Sequence, residues 1–219
     1  MKIITVTAMH GRQKTVEKFA QNTFTEVACA VTTNQDYKFA RDKGWHVVRA
    51  VNKPLWRKWD AALQLAKSLD PDAILAMGSD DVMSEKTFTQ IENDIEDYPF
   101  LAFEDIYIYD LYRDKMYYWP GYHAFVKFQH RRGEPAGAGR VFRRDLLDEC
   151  NWGIWRGAVD RGLDGDSWKV AKKYPRKLYN CERDGFFLAD IKDGQGVTNI
   201  SWFLNHPKPK IKIQDFVKW

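Results

Sequence analysis

Apolar positions in the first half of the chain switch repeatedly between two periods. Lys2 to Ala8 is a β-branched run that gives out at His10-Gly11-Arg12, the pattern of a buried strand followed by a polar turn. Residues 14–22 change to helical spacing, with Val16, Phe19 and Ala20 on one side. Glu26 to Thr32 is a second apolar run, closed by Thr33-Asn34-Gln35-Asp36. The pattern then predicts a short helix over 36–43, ended by Gly44, and a third strand from Trp45 to Val51. The clearest helix follows: Leu55, Trp59, Ala62, Leu63, Ala66 and Leu69 form one apolar stripe, which Asp70-Pro71 stops. Ala73 to Met77 is short and wholly apolar, as in a central strand covered on both faces. It ends at Gly78-Ser79-Asp80-Asp81. Ser84 is placed to cap a helix running to about Asp97, with Phe88, Ile91 and Ile95 on its buried side and Pro99 beyond its end.

Four strand-like runs joined by helical crossovers predict a parallel α/β sheet. In such sheets ligands bind beyond the carboxyl ends of the strands. His10–Arg12, Thr33–Asp36, Asn52-Lys53 and Gly78–Asp81 all follow strands directly and together describe one rim. The second half has another character. Residues 100–128 are aromatic and alternating, with a turn at Arg113-Asp114-Lys115, which predicts antiparallel strands. A Gly/Pro-rich loop over 132–139 leads into a strand at Arg140-Val141-Phe142 and a helix at 144–150. Leu163-Asp164-Gly165-Asp166 precedes a helix over about 166–173, Phe186 to Ile191 reads as a late strand, and the tail after His206 is basic and broken by Pro. The sequence has no internal repeat and no low-complexity tract.

Composition narrows this picture only a little. A chain of 219 residues fits one good core and is short for two domains. With 44% hydrophobic and 29% charged residues it is a globular rather than a disordered sequence. A net charge of +4 neither requires nor excludes a nucleic-acid partner. Nine Trp and ten Tyr suit a groove for sugars or bases as readily as an aromatic core. Cys29, Cys150 and Cys181 have no metal-ligand spacing and read as reduced thiols of a cytoplasmic protein. The N-terminus reads as a strand rather than a signal peptide, and no stretch approaches the roughly 18 apolar residues of a membrane span, so a soluble protein is expected.

Candidate chemistry concentrates on carboxylates. Asp80 and Asp81 end a buried strand, where side chains alternate, so one is expected to face a pocket and the other to brace the loop. A carboxylate at such a rim is costly unless it binds a cation or accepts hydrogen bonds. Mg²⁺ and Mn²⁺ are held by one or two carboxylates plus phosphate oxygens; a turn-and-cap acid pair is the alternative. Arg57 and Lys58 sit in the first turn of a helix, against its dipole, which suggests a nearby anion such as a diphosphate; solvated surface charges are the alternative. Asp164 and Asp166 flank Gly165 at a helix start. An N-cap and a first-turn acid account for at least one of them, which leaves the other as a candidate general base.

Taken in this order, the residues resemble the GT-A glycosyltransferases, closest to the family-two-like inverting enzymes, over roughly residues 1–206. The matching parts are strands ending near Thr7–Arg12 and at Asp36, the Asn52-x-x-x-Trp56 loop entering a helix, and Ile74 to Asp81 as the strand ending in the DxD motif. Gly137-Ala138-Gly139-Arg140-Val141-Phe142 and Leu163-Asp164-Gly165-Asp166 complete the set. The resemblance implies an α/β, Rossmann-like, mostly parallel central sheet flanked by helices, with a smaller antiparallel acceptor-side region. It further implies a single domain over 1–219: a nucleotide-sugar half at 1–99, an acceptor half at 100–206 and a basic tail at 207–219. Asp80, joined by Asp81, would hold Mn²⁺ or Mg²⁺ against the diphosphate of a nucleotide-sugar, and His206 would complete the metal shell or close over the diphosphate. Thr7 and Asp36 would contact the nucleoside; Arg12, Asn52, Trp56, Lys58, Asp60 and Ser79 would line the donor site. Asp164 or Asp166 would take the proton of the acceptor hydroxyl, giving inversion. Gly78 stands where the first Asp of the motif is usual, and Asp-Gly-Asp replaces Glu-Asp, so the identity of the base stays open; if neither acid reaches the acceptor, a retaining mechanism becomes an alternative.

Two other functions fit part of the pattern. A sugar-phosphate nucleotidyltransferase shares the parallel sheet and a metal-binding Asp, although His10-Gly11-Arg12 is a poor version of its Gly-rich loop. A non-catalytic nucleic-acid module would use Arg131, Arg132, Arg140, Arg143, Arg144, Lys208, Lys210, Lys212 and Lys218 for phosphates, with Trp152, Trp155 and Trp168 stacking on bases. The nucleic-acid reading and the glycosyltransferase resemblance meet in an enzyme whose acceptor is DNA with hydroxymethylated bases, the other acceptor class being a glycan.

Overall fold

The computed structural model describes residues 1–155, 157, 162–194, 203, 209 and 211–219. In chain order the regular elements are β1 (Ile3–Met9), α1 (Gln13–Gln21), β2 (Glu26–Val31), α2 (Asn34–Asp42), β3 (His46–Arg49), α3 (Leu55–Ser68), β4 (Ala73–Ala76), β5 (Asp81–Met83) and α4 (Glu85–Asp94). There follow β6 (Phe100–Phe103), β7 (Ile106–Asp110), β8 (Lys115–Trp119), β9 (Arg140–Arg143), α5 (Arg144–Glu149), α6 (Leu163–Ala171), β10 (Arg176–Tyr179), α7 (Cys181–Asp184) and β11 (Leu188–Lys192).

The strands form two sheets. The larger has seven strands in the order β10-β6-β9-β4-β1-β2-β3. β1 pairs parallel with β2 and β4, and β2 parallel with β3, through the crossovers α1, α2 and α3 that the apolar periodicity predicts. β9 runs antiparallel between β4 and β6. The smaller sheet has the order β5-β11-β7-β8, with β11 parallel to β7 and antiparallel to β5. Alternation along β1 divides the core. Ile4 and Val6 join Ala62, Leu63 and Ala66 of α3, while Ile3 and Met9 face Val16 and Phe19 of α1 on the other side. Each buried Val, Leu, Ile, Phe or Met among them contributes about 1.5–3 kcal/mol relative to exposure. The mostly parallel, helix-flanked sheet expected from the sequence is the architecture observed.

Several boundaries differ, each for a local reason. The helix expected at 36–43 begins at Asn34, because the Thr33 side chain accepts the Asp36 N–H and caps it two residues earlier. The helix expected at 166–173 spans Leu163–Ala171, so Asp164, Gly165 and Asp166 lie within its first turn. Residues 100–128 are not one antiparallel unit. β6 is buried along its whole length as a strand of the large sheet, parallel to β10, and the hairpin is β7–β8 alone, with 3-10 turns at 122–124 and 126–131. Asp110 shapes the hairpin turn by accepting the N–H groups of Tyr112 and Arg113.

Much of the aromatic excess serves the core: Trp45, Trp119, Trp152 and Trp155 are buried. The three cysteines are free, and burial pushes the Cys29 thiol up to about 12, so it is inert at neutral pH. No helix among the described residues is long and apolar enough to cross a membrane.

Candidate active site

The carboxyl ends of β1, β2 and β4 meet at one cleft of about 1250 Å³. β1 ends in a left-handed bend, with Gly11 at φ 64° and Arg12 at φ 55°. A non-glycine residue there costs about 1–3 kcal/mol, and such strain persists only where the surroundings fix it. Asp36 fixes this bend: it is buried at the start of α2, and its two carboxylate oxygens accept the Gly11 N–H at 3.1 and 3.2 Å. Beneath the bend, the fully buried Lys58 ammonium donates to the Met9 carbonyl at 2.6 Å and to Asn52 Oδ1 at 3.2 Å. Burial lowers the Lys58 pKa and Asp36 acts against that shift.

At the end of β4 the backbone turns sharply and enters β5, and three carboxylates converge. Asp80 and Asp81 come from this turn, and Asp190 comes from β11, where it lies directly opposite Asp81 in the antiparallel register. One oxygen from each lies within 4.8 Å of the others. Asp81 accepts the Gly78 N–H at 2.6 Å, so it braces the turn, whereas Asp80 lies toward Arg12, whose Nη1 is 2.9 Å from its Oδ2. Burial pushes the Asp81 carboxyl well above the usual range, and Asp190 and Asp80 push the same way. Asp190 is raised to about 6, by burial first; Lys192 pulls it back and Asp80 adds to it. Lys192, almost fully buried, donates to Asp190 at 2.5 Å; burial acts to lower its pKa, but Asp190 and then Asp80 outweigh it and keep the ammonium charged.

This arrangement fits a hard divalent cation. Asp190 Oδ1 is buried with no hydrogen-bond partner. A Cβ at position 78 would stand 2.8 Å from Asp80 Oδ1 and 2.9 Å from Asp81 Oδ2, so glycine is what leaves room for the carboxylates to gather. An all-oxygen carboxylate set suits Mg²⁺ or Mn²⁺.

The far wall is organised by Arg140 on β9. Its buried guanidinium donates to the carbonyls of Ala136 (2.8 Å), Pro135 (2.7 Å) and Asp164 (2.5 Å) and to Ser167 Oγ (2.6 Å), tying the loop before β9 to the first turn of α6. The Asp164 carboxylate lies close over Gly137, where a Cβ would meet its Oδ1 at 2.2 Å, and Arg131 Nη2 approaches it at 3.8 Å. Trp59 and Trp155, with ring centroids 5.1 Å apart, and Trp119 and Tyr122 supply aromatic surface to the cleft.

No family model matches this sequence, and no curated protein matches it. Solved structures do. S. aureus TarS 1–349 superposes with a TM-score of 0.58 at 14% identity, covering 87% of this chain and 60% of that one. The same protein in complex with UDP-GlcNAc gives 0.55 at 14% identity, covering 92% and 61%. CMP:2-keto-3-deoxy-manno-octonic acid synthetase complexed with CTP gives 0.51 at 11% identity, covering 92% of this chain and 95% of that one. The chain has a GT-A fold. It spans about 60% of the TarS 1–349 chain.

Within this GT-A fold the residues singled out from sequence fall into two groups. Arg12, Asp36, Asn52, Ser79, Asp80, Asp81 and Asp164 line the cleft. Thr7, Trp56, Lys58, Asp60 and Asp166 are not among its lining residues. Thr7 is buried inside β1, and Lys58 turns inward to Met9 rather than outward to an anion. Exposed Arg57 packs over Trp56, and Asp60 accepts from Gln64 on its own helix. The first-turn cations of α3 are thus engaged by the protein itself, Lys58 by the Met9 carbonyl and Asn52, and Arg57 by the Trp56 ring. Asp166 pairs with Lys169 at 2.8 Å. His206 lies outside the described residues, as do Lys208 and Lys210.

The basic and aromatic residues considered for nucleic-acid binding are mostly engaged within the protein. Arg140 is buried, Arg131 pairs with Glu134, Arg143 with Asp145, and Arg144 with Asp70, while Trp152 and Trp155 are buried. Sequence reasoning missed Asp190 and Lys192, which sit in the late strand and reach the site only because β11 pairs with β5. The usable signal was the Asp-x-Lys-Asp run at the end of an apolar strand, Asp190 to Asp193.

Proposed function

We propose that this chain is a metal-assisted glycosyltransferase that moves a sugar from a nucleotide-sugar to an acceptor hydroxyl with inversion. The carrying observation is one cleft with a divalent-cation-type carboxylate cluster at the β4–β5 turn and a separate carboxylate, Asp164, on the opposite wall. Such a division separates leaving-group stabilisation from proton abstraction, as direct displacement requires. Asp80, Asp81 and Asp190 would hold Mn²⁺ or Mg²⁺, which when bound supplies positive charge against the developing charge of the leaving nucleoside diphosphate. Arg12, at the lip of the cleft, adds a cation on the same side. Asp36 orients the Gly11–Arg12 bend and retains acceptor capacity toward a nucleoside. Asp164, in the first turn of α6 and 44% exposed, takes the proton from the acceptor hydroxyl. TarS, similar in fold, has been solved with UDP-GlcNAc, which favours a nucleotide-sugar as the donor class.

A second reading, nucleotidyl transfer, draws on the CTP-bound synthetase, a chain of nearly the same extent and the same fold. Product analysis separates the two. Incubation with UDP-, GDP- and CDP-sugars plus Mn²⁺ and candidate acceptors, both glycans and DNA with hydroxymethylated bases, releases nucleoside diphosphate if the proposal holds. Release of pyrophosphate from nucleoside triphosphate and a sugar acid or sugar phosphate transfers the assignment to the nucleotidyltransferases.

A further inference from the structure

Two cations already stand among the carboxylates, and they are held very differently. Lys192 is on a strand, 5% exposed, and locked onto Asp190. Arg12 reaches Asp80 from the N-terminal boundary of α1, a helix its side chain does not cap. Its guanidinium hangs between Asp80 Oδ2 at 2.9 Å and Asp193 Oδ1 at 3.7 Å, and Thr15 Oγ1 steadies Asp193 by donating to its Oδ2 at 2.9 Å. Arg12 lines the cleft and keeps 17% of its side chain exposed, so it has space to move that Lys192 lacks.

A divalent ion held by Asp80 would be coordinated directly by its carboxylate oxygen. The guanidinium now in contact with that carboxylate would then face a doubly charged neighbour within a few ångströms, and repulsion favours its departure. The space it enters is the cleft, which on the reading above receives a diphosphate, an anion whose oxygens match the guanidinium fork. We propose that Arg12 is a displaceable counter-ion: it neutralises Asp80 while the metal is absent, yields that carboxylate to the arriving cation, and passes to the donor diphosphate. Metal alone then binds against Arg12, metal with nucleotide binds without that opposition, and the two ligands are coupled reciprocally. Arg12 is thus a positioning and coupling residue at the site, distinct from the fixed charge of Lys192.

This inference rests on the reading of Asp80, Asp81 and Asp190 as a cation site, and its test begins with the cation alone. Mn²⁺ binding is measured by electron paramagnetic resonance on the wild-type chain, on Arg12→Met and on Asp80→Ala, without nucleotide. Arg12→Met is expected to bind Mn²⁺ about tenfold more tightly than wild type; with UDP present the wild type gains affinity while Arg12→Met gains little. Equal or weaker Mn²⁺ binding by folded Arg12→Met overturns the counter-ion role and leaves the metal site standing. Wild type and Arg12→Met that bind no more Mn²⁺ than Asp80→Ala overturn both. Should Arg12→Met not fold, the ¹⁵Nε resonance of Arg12 in the wild type, followed during Mg²⁺ titration, serves instead: a saturable shift supports release from Asp80, and an unchanged resonance at saturating Mg²⁺ excludes it.

Discussion

At the scale of single residues, the neighbouring acids differ in what they can do. Asp81 is committed to the Gly78 N–H, whereas the Asp80 carboxylate pairs with the Arg12 guanidinium. Asp80→Ala should therefore abolish the rise in melting temperature on adding Mn²⁺ and lower kcat/KM by about 10²–10³-fold; thermal shift and initial rates check both. Gly78→Ala makes the same point without removing a carboxylate, because its methyl would displace Asp80 and Asp81. A Gly78→Ala protein that folds and keeps the full Mn²⁺ shift counts against the cluster as the metal site. On the far wall, Asp164→Asn should lower kcat by about 10²–10⁴-fold, while Asp166→Asn, already paired with Lys169, should change it little. The reverse ranking in steady-state kinetics would move the base to Asp166.

At the scale of elements, the Asp94 carboxylate fastens α4 to β10. Asp94 accepts from Tyr179 Oη at 2.8 Å, Gln90 Nε2 at 2.9 Å and Lys177 Nζ at 2.9 Å. Burial acts to raise its pKa, but the hydrogen bonds from Lys177, Gln90 and Tyr179 together lower it below the ordinary value. A carboxyl whose folded pKa is depressed contributes stability above its unfolded pKa of about 3.9, and loses it as pH falls through the lower folded value. Urea midpoints should thus show Asp94→Asn less stable than wild type by about 1–3 kcal/mol at pH 7, with the gap closing below about pH 4. A gap independent of pH would mean that shape, not charge, fastens the two elements. The crossovers α1, α2 and α3 were legible from the sequence because each spans a full amphipathic period between apolar runs. β5 was not, being three residues long and hidden in what reads as a turn before the Ser84 cap. β10, Arg176–Tyr179, carries two cations in its four residues and lies at the sheet edge, where neither apolar continuity nor alternation is required. Likewise Asp36, Asp80 and Asp164 were visible as polar residues at strand ends and a helix start, whereas Asp190 joins them through a pairing between segments over a hundred residues apart.

At the scale of the whole molecule, the α1 face of the large sheet shares one apolar cluster with the small sheet, and the opposite face builds a second cluster under α3. Trp152 is 2% exposed, packs with the α3 face of the large sheet and donates to Asp148. Trp152→Ala is expected to cost about 3–5 kcal/mol, which for a chain of this size lowers the melting temperature by roughly 6–20 °C. Scanning calorimetry that shows one lowered transition means that the two clusters melt as a unit, and a split transition would show that they melt separately. The placement of Asp190 on β11 carries a further consequence. The carboxylate cluster draws on the first hundred residues and on one of the last regular strands, so a nascent chain still emerging from synthesis has only part of it. On the proposed reading, affinity for a cation would arise only when β11 slots between β5 and β7, and a bound ion would act as a clasp that closes on the finished fold and on nothing earlier.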